Sequence, residues 1–257
     1  MKSFRPHSLA TTVIFSLLLA ASDVAGQRSI EAVQIDVTSL LNDRVVITAK
    51  DGVLQPALHS TDTWADSVLI TQSAAELAHS GEMTALPESD LFAANDHHPA
   101  VKLHYAQADG GAQVHRSAAR SETYSFAVPG QRYSQLQLFF ISAQGETPIE
   151  VHLYYADDAV GKRYATAPDF FNLPKNSDPR WFVLTGDFGK VNMQGKKMEA
   201  AHHYLHGFDL NPDPTKKLLK VEIVKLDSSS VLNFFGATGR TAHSGGAKKR
   251  AHQAIFR

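Results

Sequence analysis

Cysteine is absent from the 257-residue sequence. A disulfide-stapled scaffold is therefore excluded, and the folded chain must rest on a hydrophobic core and hydrogen bonds. One-sided charge is lacking too: Lys and Arg number 25, Asp and Glu 26. That balance points to neither a nucleic-acid partner nor an anionic membrane surface. Beyond the first residues no apolar run reaches the ~20 residues of a transmembrane helix, so no span is expected after leader removal. Helical periodicity is scarce. Only "TQSAAELAHS" (71–80) reads as a helix, with Ser73 and Glu76 at capping-box spacing and Gly81 as its stop. Missing as well are a Gly-x-Ser-x-Gly elbow, a phosphate loop and a dinucleotide fingerprint.

What is present begins with a leader. Lys2 and Arg5 precede "LATTVIFSLLLAA" (9–21), and the small residues Val24 and Gly26 stand before a cut at Gln27. This is the layout of a secretory signal peptide over residues 1–26, and it predicts a secreted or periplasmic protein.

From residue 30 onward, short runs rich in β-branched and aromatic residues alternate with Gly, Pro, Asn and Asp clusters. The runs are 30–37, 44–49, 67–70, 101–106, 123–128, 133–143, 148–156, 180–184, 218–226 and 231–237. Little lies between them to make crossover helices. The pattern predicts an all-β antiparallel β-sandwich, jelly-roll-like, with one or two short helices. "QLQLFFI" (135–141) alternates and then runs apolar, as a strand covered on both faces does. The stretch 165–179 holds three prolines and a Phe pair and reads as a long loop. One core and one domain over 30–238 are expected, followed by a disordered basic tail over 239–257. "VKLHYAQADGG" (101–111) and "VHLYYADDAVG" (151–161) look alike, but nothing around them repeats.

From residue 120 the order of features becomes distinctive. Gly130-Gln131 makes a turn, Tyr133, Leu136 and Leu138 mark a strand, and Ser142-Ala143 make a small-residue corner. Then follow Tyr154-Tyr155 with Asp157, "SDPRWF" (177–182), "HHYLHGFDLNPDPTKKLLKVEIVKL" (202–226) and "VLNFFGATG" (231–239). Residues 120–238 thus resemble the galactose-binding-like jelly-roll domains that serve as accessory modules on secreted bacterial and fungal glycosidases. The resemblance implies a β-sandwich and contact with carbohydrate. The stretch 165–202, with its own aromatics, is longer than that pattern requires.

Three kinds of site are candidates. "MEAAHHYLHGFDL" (198–210) gathers His202, His203 and His206. As a helix it would present His202 and His206 to a metal, but His203 stands where the Glu of a His-Glu-x-x-His motif belongs. As a strand it puts His202, Tyr204, His206 and Phe208 on one face and His203, Leu205 and Gly207 on the other. The strand reading agrees with the flanks, and it predicts that His202 and His206 destabilise the fold together when protonated. Asp96, His97 and His98 form a second cluster, with His104 on the strand that follows. No metal site is assigned; His97, His202 and His206 would be its ligands, and a joint site with His104 requires that the strands meet.

Loop carboxylates come next: Asp157, Asp158, Asp169, Asp178, Asp187 and Asp209 are candidates for an acid pair, and such loops can also hold a structural Ca²⁺. Aromatics complete the set: Trp64, Tyr154, Tyr155, Phe170, Phe171 and Trp181, of which core packing is the commoner fate. The expected ligand site has Trp181, Phe170 and Tyr155 for stacking, with Asn176, Asp178 and Asp187 bonding hydroxyls. The resulting expectation is an exported protein that binds a glycan or polysaccharide without catalysis and without a cofactor. The alternatives are a hydrolase or lyase acting on polysaccharide or peptidoglycan through His and acidic loop residues, and a structural or adhesive envelope protein.

Overall fold

The β-rich runs become strands in the computed structural model, which describes residues 30–242 apart from 64–65, 107–109, 176 and 227–228. The expected leader, Trp64, Asn176 and residues 243–257 of the expected tail lie outside the described residues. In chain order the first elements are β1 (Ile30–Ile35), β2 (Val46–Lys50), β3 (Val53–Gln55), β4 (Ser67–Ile70) and α1 (Gln72–Leu77). Then come β5 (Leu91–Phe92), β6 (Val101–Lys102), β7 (His115–Ser117), β8 (Glu122–Gln131), β9 (Tyr133–Ala143) and β10 (Thr147–Tyr155). The last are β11 (Val160–Ala167), β12 (Trp181–Asn192), β13 (Lys197–Asp209), β14 (Leu218–Lys225) and β15 (Val231–Ala242).

Eight of these strands make a jelly roll. One sheet runs β1-β15-β9-β13 and the other β8-β14-β10-β11, all antiparallel. Two Greek keys wound into facing sheets give this order. The first sheet continues past β13 through β12, β4, β2 and β3, and β7 joins it on β15. β2 and β4 pair in parallel, against the antiparallel expectation. The excursion through β3 returns the chain to the same end of the sheet, which a parallel neighbour requires.

Inward residues of β10, β14 and β8 meet those of β9, β13 and β15 in the main core, which includes Phe126, Phe140, Phe208 and Phe234. β10 alternates strictly, with Ile149, Val151, Leu153 and Tyr155 inward and Glu150, His152 and Tyr154 outward. β9 is buried on both faces from Leu136 to Ala143, as its apolar run predicts. Its second face, with Phe139 and Ile141, packs under Val45, Val46, Leu103, Tyr105 and Val114 of the long insertion between β1 and β8. A third cluster surrounds α1. The single core expected from the sequence is thus supplemented by two others, because that insertion covers the outer face of the larger sheet.

Several boundaries differ from the sequence reading. Most of 165–202 is strand, with a loop over 168–180 and a turn over 193–196. The apolar alternation of β12 is broken by Gly186, Gly189 and the left-handed Asp187 (φ 57°), where its register with β13 shifts. β15 runs past the expected boundary at 238 and pairs Gly239–Ala242 with β1. Backbone pairing needs no apolar side chains, so composition does not reveal it. α1 is capped by Thr71 without a side-chain bond. The Ser73 N–H donates instead to Glu88, 3.0 Å away, and Glu76 accepts from Gln72. His104 lies beyond β6, not on a strand. Among the described residues no helix is long and apolar enough to cross a membrane.

Candidate functional site

The loop 168–180 joins β11 of the smaller sheet to β12 of the larger one, and its backbone is pinned to β9 and β13. The Phe170 N–H donates to the Ser142 carbonyl at 2.7 Å, and the Tyr204 N–H donates to the Phe170 carbonyl at 2.7 Å. Asp169 accepts from the N–H of Gly145 and, at 3.0 Å, from that of Phe171. His206 Nε2 bonds the Asn172 carbonyl at 2.9 Å. The chain then turns through Lys175, Asp178 and Trp181 by successive backbone bonds and enters β12.

Between this loop and edge strand β11 lies a cleft of about 550 Å³, within the range of small-molecule sites. Tyr164 of β11 stands on its rim, 60% exposed. Pro148, Ile149 and Trp181 form apolar lining, and Glu146, Lys175, Asp178 and Arg180 provide the charges. Arg180 grips Asp178 with two parallel bonds, Nε to Oδ1 and Nη2 to Oδ2, each 2.8 Å. Its Nη2 also donates to the Tyr164 carbonyl at 2.9 Å, tying loop to strand. Those guanidinium bonds, more than any other influence, hold the Asp178 carboxyl below its usual pKa and raise Arg180 in turn.

The cleft collects only part of the expected ligand set. Trp181 and Asp178 line it. Trp181 is largely buried, stacked on Phe208 with centroids 4.5 Å apart, and its Nε1 is buried without an acceptor. It is a wall of the cleft rather than an open platform. Phe170 is 1% exposed, packed against Phe171 and His203 in the second core. Tyr155 is buried in the main core with its hydroxyl accepting from the Asp213 N–H. Burial therefore removes both as stacking faces. Asp187 sits at the β12 bulge beside His202, outside the cleft lining, and Asn176 lies outside the described residues.

The residue that sequence reasoning missed is Tyr164. The signal was there, since "VGKRYATA" alternates and puts Val160, Lys162 and Tyr164 on one face. No strand is expected there, because the expected runs pass from 148–156 directly to 180–184. Tyr154 lies on the outer face of the smaller sheet, its hydroxyl donating to Glu222 at 2.8 Å with the Lys220 ammonium 3.8 Å over its ring.

The histidines do not converge. β13 is a strand, and His203 and His206 fall on opposite faces as predicted. His202 departs from the pattern: a left-handed φ of 77° turns its side chain out, 82% exposed, towards Asp187. The expected pairing of His202 with His206 on one face is therefore overturned. His203 is fully buried, with Nδ1 donating to the Phe188 carbonyl at 2.9 Å. His97 is exposed in the loop before β6, and half-buried His104 faces Asp90 and Asp36. Among the described residues no three His, Asp or Glu side chains form a metal-ligand group. Of the acidic candidates, Asp169 is used in closing the loop, Asp157 pairs with Lys216 at 2.7 Å, and Asp209 accepts from Gln135 and Gln137. Burial raises the Asp209 pKa, against the opposing effect of those two bonds.

No family model matches the chain, and no curated protein matches it. Among solved structures, one described as a structural analysis of an exo-β-agarase is similar at 12% identity, with a TM-score of 0.20. The match covers 49% of this chain and 23% of that one, so this chain spans less than a quarter of its length. A likeness of that size carries no argument about fold or activity.

Proposed function

We propose that this is an exported β-sandwich protein that binds carbohydrate in the β11–loop cleft without transforming it. The carrying observation is a cleft lined by Tyr164, 60% exposed, and by the bidentate Asp178–Arg180 pair, which is tied to the Tyr164 carbonyl. A sugar lays its C–H face on such a ring and shares its hydroxyls between a carboxylate and a guanidinium. The resemblance of residues 120–238 to galactose-binding-like modules supports the same reading, and the leader-like residues 1–26 support export.

Sites of this kind hold ligands at micromolar to millimolar dissociation constants, about −8 to −4 kcal/mol. Titration of the purified protein against a polysaccharide panel tests the assignment. Tyr164→Ala is expected to weaken binding by roughly tenfold, the worth of one aromatic contact. Its melting temperature should change little, because the ring is largely exposed and the Glu150 carboxylate that its hydroxyl meets is also held by His152 and Lys162. Unchanged affinity in Tyr164→Ala removes the cleft as the site.

A further inference from the structure

The charges of the cleft are arranged in a way that bears on which saccharides it takes. Two cations and two carboxylates line it, and each cation touches a carboxylate: Lys175 pairs with Glu146, and Arg180 with Asp178. No net charge is left to attract an ion. Arg180 matters most, because its Nε and Nη2 are committed to Asp178 and the Tyr164 carbonyl, and its plane is fixed by them. Only Nη1 makes no hydrogen bond among the described residues. It offers neutral-type donation to a hydroxyl oxygen, while its charge is answered by Asp178. The remaining polar lining, Thr166 and Ser177, consists of hydroxyl groups. An anionic sugar bound here would bring its carboxylate or sulfate against Asp178 and Glu146, and like charges at such range cost affinity.

We infer that the cleft selects uncharged saccharides over uronate-containing, sulfated or phosphorylated ones, an inference that rests on the carbohydrate reading above. Selection comes from the two carboxylates that shadow the cations, and Asp178 is the principal discriminator.

The test pairs neutral polysaccharides with carboxylated and sulfated derivatives of the same polymers. Affinities for the full chain are measured at about 0.05 and about 0.5 M salt, a range that shortens the screening length from more than 10 Å to about 4 Å. Neutral polymers are expected to bind with less than about twofold change across that range, and their anionic derivatives at least about tenfold more weakly. Asp178→Asn keeps the shape and removes the charge, and it should narrow that gap. Tenfold preference for an anionic derivative, lost at high salt, overturns the selectivity while leaving carbohydrate binding standing. The same holds if Asp178→Asn leaves the gap intact. Failure of every polymer, neutral or anionic, overturns the carbohydrate reading itself and this inference with it.

Discussion

His203 and His206 show what burial does to a titratable side chain on a strand. Both are almost fully buried, and desolvation lowers both pKa values, that of His206 to about 4. The His206 ring donates through Nε2 to the Asn172 carbonyl, while its Nδ1 is buried without a partner. Protonation would place a second N–H where no acceptor waits. The unfolded chain therefore binds more protons between about pH 6.5 and about pH 4, and stability present above that window is lost as pH falls through it. For His206 the loss amounts to about 3 kcal/mol at the bottom of the window. His206→Gln retains an amide donor for Asn172 and removes the titration. It should flatten the melting-temperature profile between about pH 7 and pH 4.5. An equally steep profile in the variant would assign the acid sensitivity elsewhere. The sequence reading names His206 as one owner of a pH response but pairs it with His202 in place of His203. Strand alternation predicts His202 beside His206, and the left-handed turn at His202 breaks it. No residue type announces that turn, since it follows from the β12 bulge across the ladder.

At the scale of elements, β12 and β13 are held by an exchange of aromatic and glycine. Phe182 lies opposite Gly207, and Tyr204 opposite Gly186. Each ring folds over the bare backbone of its partner, so a Cβ at either glycine would run into the ring. The Phe182 ring has little room to retreat. Phe139 meets it edge-on at 6.3 Å, and His98 stacks on it at 5.9 Å. Gly207→Ala should therefore destabilise the protein by about 1–3 kcal/mol, the usual cost of overpacking. A wild-type denaturant midpoint in Gly207→Ala would show that Phe182 moves freely. The sheet-forming runs from β8 to β10, with β14 and β15, were legible because each carries its own apolar alternation. β11 was not, since only Ala167 of its eight residues is buried, and of β12 only 180–184 was legible, since Gly186, Gly189 and the bulge at Asp187 interrupt the rest. The weak apolar pattern of β11 hid part of the site. Trp181 and Asp178 stand out in "SDPRWF" by composition, whereas Tyr164 gains its role only when β11 becomes an edge strand facing the loop.

Across the whole molecule the two sheets meet through stacked aromatics centred on Phe234. Its ring lies 5.4 Å from Phe140 on the neighbouring β9 and 5.5 Å from Phe126 on β8 of the facing sheet, with Tyr124 at 6.0 Å. All four rings are nearly or fully buried. β15 itself joins β1, near the start of the described residues, to β9, so its pairings span most of the chain. Phe234→Ala would empty the contact between the sheets and would also weaken the strand that closes the jelly roll. Truncation of a fully buried Phe costs about 3–5 kcal/mol, a large part of a domain's net stability. Because both sheets share that core, the loss should fall on them together. Far-ultraviolet circular dichroism, reporting the strands, and tryptophan fluorescence, sensitive to Trp181 against Phe208, should shift to a lower denaturant midpoint by the same amount. Should the fluorescence midpoint drop while the strand signal keeps its wild-type position, the two sheets unfold independently and Phe234 does not couple them.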